Sequence, residues 1–500
     1  MEKKIPFGRL SLVVGLGIGF ELFIIVRLVE LQFFRRSGFQ VRVKEQSEIK
    51  VKVTPKRGRI YDRHRRILAT SINKKRIYSL GEVAGNLLGF VGKDNIGLEG
   101  VEYEFDPLLS GTPGWMTLGK TPRGHLYPYP GYPRTREVPA KDIVLTIDAD
   151  IQAIAEESLG KRIGEVQAKR GMAVVINPKT GEILAMATVP CYNPNYWKRE
   201  EERRNVPVQD QFEPGSTFKI VPLSVIVDEG IVGLEDTVED GSAKITISGK
   251  TIRDVRPHGP FTFAQAVWKS SNVAFVKLAD LIGTRKFYAT AKAFGFGIPT
   301  GVALPGEASG RLSLPSSWSS LRFANIAFGQ GVSCTLLQLA FAYQSIANDG
   351  VLLKPIIIKE ILSEKGKVLY EFKPVRVREV LSPEKARGVS ELLCGVIEEG
   401  SGKLAKIPGL RMAGKTGTAN KCVNGRYVSS YMASFVCFFP VEDPIFLVAT
   451  MIDEPKYMHL GGDVCGPLMH DIAEKIIRIK EYRIEDREEK TSDELLTSDF

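Results

Sequence analysis

Three short groups of residues hold the side chains that nucleophilic catalysis by a serine requires. The first is Glu213-Pro-Gly-Ser216-Thr-Phe-Lys219, followed by an apolar run over residues 220–227. Pro-Gly closes a loop, so Ser216 is expected to open a helix among unpaired backbone N–H groups. A spacing of three then places Ser216 and Lys219 on one helical face. A serine needs a base to become nucleophilic, and a lysine serves only if desolvation or a cationic neighbour lowers its pKa. The apolar flanks offer that desolvation, and Pro222 is expected to kink the helix. The second group, Ser270-Ser271-Asn272, lies between a helix-like stretch (262–269) and Val273-Ala-Phe-Val. It can supply a hydroxyl to shuttle protons and an amide to hold a lysine and a substrate carbonyl. The third is Lys415-Thr416-Gly417-Thr418 on a strand. Thr416 and Thr418 share a face and can bind a carboxylate, Lys415 adds positive charge, and Gly417 lets another backbone approach. Each has an ordinary alternative: a capping serine beside a surface lysine, a polar helix junction, or a Lys-Thr edge strand.

The surrounding sequence predicts the elements that would carry these groups. Residues 143–147 read as a strand, Asp148 as a helix cap, and 151–159 as an amphipathic helix. Runs 173–177 and 183–187 flank Pro178-Lys-Thr-Gly181, a hairpin signal. Residues 412–418, 433–439 and 446–452 are three further strand-like runs, with a turn at Glu442-Asp443-Pro444. The middle reads largely as helices, such as 262–281 and 335–347. Strands at both ends of a helical middle predict an α+β domain whose sheet joins the two termini. Upstream, alternation of apolar and charged residues over 40–53 predicts half-exposed strands. From 481 on, acidic residues dominate with few apolar groups, and disorder is expected.

Five hundred residues, 43% hydrophobic and 25% charged, suit two or three globular domains and exclude a wholly disordered chain, a collagen and a multi-spanning transporter. The 68 basic and 58 acidic residues leave a formal charge of +10, which alone selects no partner. Six cysteines without C-x-x-C and five histidines without H-E-x-x-H give no metal site and no dense disulfide framework. Residues 10–34 are long and apolar enough to span a bilayer. The run ends Phe33-Phe34-Arg35-Arg36 rather than in small residues, so an uncleaved anchor is expected over a signal peptide. Glu21 sits inside it and is expected to face another membrane helix.

S-x-x-K, S-x-N and K-T-G in this order resemble the penicillin-binding-protein and β-lactamase signature. The flanking text is similar to class B penicillin-binding proteins, most of all the division-specific, FtsI-type branch. The likeness rests on AVVINPKTGEILAMATVP (173–190), FEPGSTFK (212–219), Gly329-Gln-Gly331, TLLQLA (335–340), AGKTGTA (413–419) and Gly461-Gly462. In front of these, Arg57-Gly-Arg-Ile-Tyr-Asp-Arg63 and Gly97-Leu-Glu-Gly-Val-Glu102 resemble the family's pedestal motifs, and RLVELQ (27–32) the end of its membrane helix. Ser271 favours the division over the elongation branch. Three departures stand out: Arg65 replaces a glycine of D-R-x-G, Cys437 replaces a small residue, and 69–76 lacks an insertion of several tens of residues.

The resemblance implies a serine transpeptidase/β-lactamase-like domain, an antiparallel five-stranded sheet with a helical subdomain, behind a membrane helix and a mostly β pedestal. The expected boundaries are a cytoplasmic stretch 1–9, an anchor 10–34, a shortened pedestal 35–145, a transpeptidase domain 146–480 and a tail 481–500. It further implies that Ser216 attacks the penultimate D-Ala carbonyl of a stem peptide, with Lys219 as base. Ser270 would relay the proton, Asn272 would orient Lys219 and the donor, and Lys415, Thr416, Gly417 and Thr418 would bind the carboxylate. No metal, organic cofactor or nucleic acid is expected. The implied partners are stem peptides, β-lactams, an FtsW-type membrane glycosyltransferase and other division proteins. The implied place is a single-pass inner-membrane protein with its catalytic domain outside the cytoplasm. An elongation-type transpeptidase, a D,D-carboxypeptidase, a β-lactamase and a non-catalytic penicillin-binding scaffold are the alternatives.

Overall fold

The computed structural model describes residues 7–128, 131–196, 203–256, 258–423 and 425–497, with side chains up to Lys480 except that of Val423. The chain forms two compact units, Met1–Lys56 with Gly111–Pro139, and Arg57–Ser110 with Ala140–Phe500.

In the first unit, an apolar helix Phe7–Val29 runs through a π-turn, Glu30–Phe34, into a helix Arg36–Ser47. Residues 7–34 have a mean hydropathy of 2.3 over their best window, enough by length and composition to cross a membrane. The expected strand over 40–53 is confined to Glu48–Val53, which pairs antiparallel with Gly114–Lys120. Residues 40–47 are helical instead. Their Gln, Arg, Lys and Glu side chains lose little freedom in a helix, and that outweighs the Val41–Val43 alternation.

The second unit is organised by a five-stranded antiparallel sheet in the order Ile183–Val189, Arg170–Ile176, Phe446–Asp453, Arg426–Phe439, Ala413–Val423. The two ends of the domain thus meet in one sheet, as the sequence pattern predicts. Both faces are buried. Met172, Val174, Ile176, Val436, Phe438 and Leu447 enter one core, and Ala173, Val175, Phe435, Cys437, Phe439 and Val448 the other. Strand side chains alternate between faces, so a sheet covered on both sides favours apolar residues at successive positions. That is why 172–176, 183–187, 435–439 and 446–449 read as hydrophobic runs, with Ser434 and Thr450 as buried polar exceptions. The helices Ala149–Val166 and Gly461–Thr497 cover the second face. Asp148 caps the former, accepting from the Asp150 and Ile151 N–H groups.

Residues 57–110, expected to belong to the pedestal, join this larger unit. Ile60–Tyr61 pairs parallel with Asp142–Leu145 inside a six-stranded sheet. Arg59 bonds Asp142 at 2.7 Å across this connection, and a buried cluster holds the segment itself: Arg57 bonds Glu102 at 2.7 Å and Asp106 at 2.6 Å, and Arg76 bonds Glu102 at 2.6 Å. Arg57 and Glu102 are fully buried, so losing one partner strands a charge at a cost of about 3–5 kcal/mol. Strands Ile67–Ile72 and Lys75–Tyr78 close a hairpin through Asn73 and Lys74, both at positive φ, as a two-residue I′ turn requires. This turn stands where the longer insertion is missing. Arg65 holds φ at 65°, and its N–H donates to Asp62 O at 3.0 Å. The tight turn therefore persists without the glycine that would enter it freely.

The last helix runs on to Thr497. Glu, Arg, Lys and Leu in 481–497 are good helix formers, so a low apolar content does not prevent helical backbone there.

Candidate active site

The three motifs converge in the second unit. Gly215–Lys219 is a 3-10 turn that passes into the helix Ile220–Glu229. Side chains three apart eclipse in a 3-10 helix, which aligns Ser216 with Lys219 more directly than the expected α-helix. The same change corrects the role of Pro222. It falls in the first turn of the α-helix, where no intrahelical N–H bond is lost, so no kink is needed.

Lys219 is 1% exposed. Its Nζ donates to Ser270 O at 2.7 Å and Asn272 Oδ1 at 2.9 Å, lies 3.2 Å from Ser270 Oγ, and sits 5.1 Å over the Phe275 ring. Burial first, and nearby Lys415 second, push its pKa well below the usual lysine range, with Asp254 opposing them. Lys415, equally buried, donates to Ser270 Oγ at 2.8 Å and Thr416 O at 3.2 Å. Burial pulls it down to about 7. Ser270 Oγ thus stands between two lysine amines, each of which gives up its proton more easily than an ordinary lysine.

That position depends on a break in the chain. The helix Phe263–Lys269 ends at Ser270 in the left-handed region, φ 60°, and a new helix Asn272–Ile282 starts behind Ser271 as its cap. The continuous helix expected over 262–281 is therefore two helices, and the junction aims Ser270 and Asn272 at Lys219. Sequence reasoning missed what holds the junction. Asp254, at the end of the strand Lys250–Arg253, accepts from the Ser271 hydroxyl at 2.7 Å, from the Val273 N–H at 3.1 Å, and from the Asn272 N–H. His258 Nε2 lies 2.7 Å from the same carboxylate, its ring stacked on Phe261. No spacing rule links Asp254 to Asn272 across eighteen positions; only the fold does.

The Lys415 strand, Ala413–Val423, is the edge of the five-stranded sheet and abuts the serine turn. A Cβ at Gly417 would lie 2.7 Å from Pro214 O, and one at Gly215 2.6 Å from Thr418 O. Both glycines are required by this close approach. The hydroxyls of Thr416 and Thr418 are fixed as well. Thr416 Oγ1 shares a 2.6 Å hydrogen bond with Ser401, and Thr418 Oγ1 accepts from the Gly461 N–H at 2.8 Å. Ser216 Oγ is partly exposed and has no hydrogen-bond partner among the described residues, leaving it open to an incoming carbonyl. Among these residues no cluster could hold a metal. All eight residues singled out from the sequence thus lie on the serine turn, the helix junction and the edge strand that meet here.

Comparison with known proteins agrees with this arrangement. The penicillin binding protein transpeptidase domain family matches residues 171–474. Penicillin-binding protein PbpB of Mycolicibacterium smegmatis is 36% identical over 420 residues, covering 81% of this chain and 64% of that protein. Stage V sporulation protein D of Bacillus subtilis is 34% identical over 405 residues, covering 79% and 63%. The chain thus spans slightly less than two thirds of the length of these relatives. A crystal structure of penicillin binding protein 3 from Mycobacterium tuberculosis, complexed with ampicillin, superposes with a TM-score of 0.78 at 32% identity, over 86% of this chain and 96% of that one. With the family matched across the whole catalytic sheet and its three motifs drawn into one cluster, the chain belongs to the penicillin-binding-protein transpeptidases, in their class B, FtsI-type branch.

Proposed function

We propose that the chain is a peptidoglycan D,D-transpeptidase that cross-links stem peptides in septal wall synthesis and is acylated by β-lactams. One observation carries the reading: Ser270 Oγ bridges the buried amines of Lys219 and Lys415 beside an open Ser216. A neutral Lys219 places its two N–H bonds on Ser270 O and Asn272 Oδ1, which leaves a lone pair to take the Ser216 proton. Ser216 Oγ then attacks the penultimate D-Ala carbonyl. The oxyanion is met by the backbone N–H groups of Ser216 and Thr418, which act where charge appears only in the tetrahedral state. Ser270, backed by Lys415, delivers a proton to the departing D-Ala amine. Thr416 and Thr418 seat the terminal carboxylate, with Gly417 keeping the strand close. An amine from a second stem peptide resolves the acyl-enzyme and forms the cross-link.

The test is to incubate the full-length chain with glycan bearing pentapeptide stems and follow products by mass. D-Ala release with cross-linked dimers is expected. D-Ala release without dimers would make it a D,D-carboxypeptidase, and no release at all would favour the non-catalytic scaffold.

The reading also places the chain in the inner membrane by its first helix, with the N-terminus cytoplasmic and the catalytic domain outside, so that the site stays within reach of nascent glycan. Glu21 lies exposed in that helix without an ion-pair partner among the described residues. A carboxylate at mid-helix costs about 3 kcal/mol on insertion scales, which a polar contact from an FtsW-type glycosyltransferase helix would relieve. Glu21→Leu should then lower co-purification with that polymerase severalfold; unchanged recovery would rule this contact out.

A further inference from the structure

Beyond Thr418 the edge strand runs into a cleft of about 450 Å³ that the chemistry above leaves unused. Asn420 and Lys421 come from the strand, Glu213 from the approach to the serine turn, and Arg311, Arg322 and Ser333 from the opposite wall. Most of its polar groups are already engaged. Lys421 Nζ bonds Asp453 at 2.9 Å and Glu454 at 2.5 Å. Glu213 accepts from the Gly331 N–H at 3.0 Å and the Tyr427 hydroxyl at 3.1 Å, and Ser333 Oγ donates to Gln211 at 2.9 Å.

The two arginines differ. Their backbones are anchored: Arg311 exchanges both backbone hydrogen bonds with Ser333, at 2.8 and 3.0 Å, and Arg322 lies on the helix Ser320–Ala327. Yet neither guanidinium has a hydrogen bond or ion pair among the described residues. Two guanidinium forks on anchored backbones, with their donors open and lining one cavity, suit an oxyanion, and the oxyanion a peptide carries is a carboxylate.

We infer that Arg311 and Arg322 form a subsite for a carboxylate borne by the donor peptide upstream of its scissile bond. The inference rests on the reading above, in which Thr416 and Thr418 seat the terminal carboxylate and Ser216 meets the carbonyl. Thr416, Thr418 and Asn420 lie along one face of the strand, and an extended peptide advances about 3.3 Å per residue. A donor laid along this strand therefore brings its next one or two residues into the cleft. The pocket makes the enzyme selective for an acidic donor over its amidated counterpart.

Arg311→Gln, Arg322→Gln and the double variant are compared with the wild type as full-length chains. Two thioester donors are used, identical but for a free or amidated carboxyl upstream of the D-Ala. The ratio of kcat/KM for the acidic over the amidated donor should fall on the order of tenfold or more in the double variant, the size of one charge-assisted hydrogen bond. Each single variant should fall between. An unchanged ratio, including an equal loss on both donors, would overturn the subsite. Penicillin acylation of the wild type separates the two claims: without it the transpeptidase reading itself fails, whatever the ratio shows.

Discussion

Ser216→Ala should abolish covalent capture of a penicillin. Intact-protein mass of the wild type should rise by one penicillin and stay there, whereas the variant should show no adduct at any time. The substitution is clean on structural grounds. Ser216 lies inside the 3-10 turn rather than at its cap, and its hydroxyl makes no hydrogen bond that holds the fold. Lys219, Ser270 and Lys415 keep their mutual contacts, so only the nucleophile is removed. The time course discriminates among the family's chemistries. Slow loss of the adduct fits an enzyme whose acyl group waits for an amine, whereas rapid loss would assign hydrolysis and move the chain to the β-lactamases. An adduct on Ser216→Ala would place the nucleophile elsewhere. Folded wild-type protein that takes no adduct would overturn the enzyme reading.

How much of this was legible in the sequence depended on whether the controlling interaction was local. The strands 173–177, 183–187, 433–439 and 446–452 were readable because burial on both faces leaves them mainly apolar. The Asp148 cap was readable because a cap acts within one turn. The catalytic residues were readable only as a set, through their resemblance to a family. What escaped was set by contacts across the chain. Asp254 organises Ser271 and Asn272 from another element. Arg59 and Asp142 lie eighty-three positions apart and meet in an ion pair, which ties residues 57–110 to the larger unit. Ser270 shows the limit most clearly. Its flanks are helical on both sides, and nothing in the serine announces the left-handed turn that makes it useful. That conformation is disfavoured for a residue with a Cβ by about 1–2 kcal/mol and persists because Asp254 and the Ser271 cap hold the far side of the break.

The two lysines lead to the second large effect, a loss of about 10²–10⁴-fold in acylation rate on Lys219→Met, the range for removing a general base. The methionine fills a similar volume beside Phe275, so packing is largely kept and the loss reports the missing amine. The pH profile tests the assignment further. Lys219 must be neutral to accept the Ser216 proton, so acylation should fall as pH drops through its lowered pKa. Lys415 helps by staying charged, so acylation should also decline as pH rises past about 7, giving a bell whose limbs belong to the coupled pair. Lys415→Arg, which cannot deprotonate, should flatten the alkaline limb and leave the acid limb in place. An alkaline limb that persists in that variant would remove Lys415 from the charge assignment. Stability must move with the same protons. An unfolded chain holds Lys415 protonated up to the ordinary lysine range near 10.4, while the folded chain releases that proton from about 7. Between these values the unfolded state binds more protons, so stability rises with pH, and Lys415→Met should reduce that slope to the part that Lys219 contributes. The site is therefore held together at some cost at neutral pH, because two amines that prefer water are kept dry on either side of one serine hydroxyl. The same desolvation that weakens the fold there makes Lys219 a base.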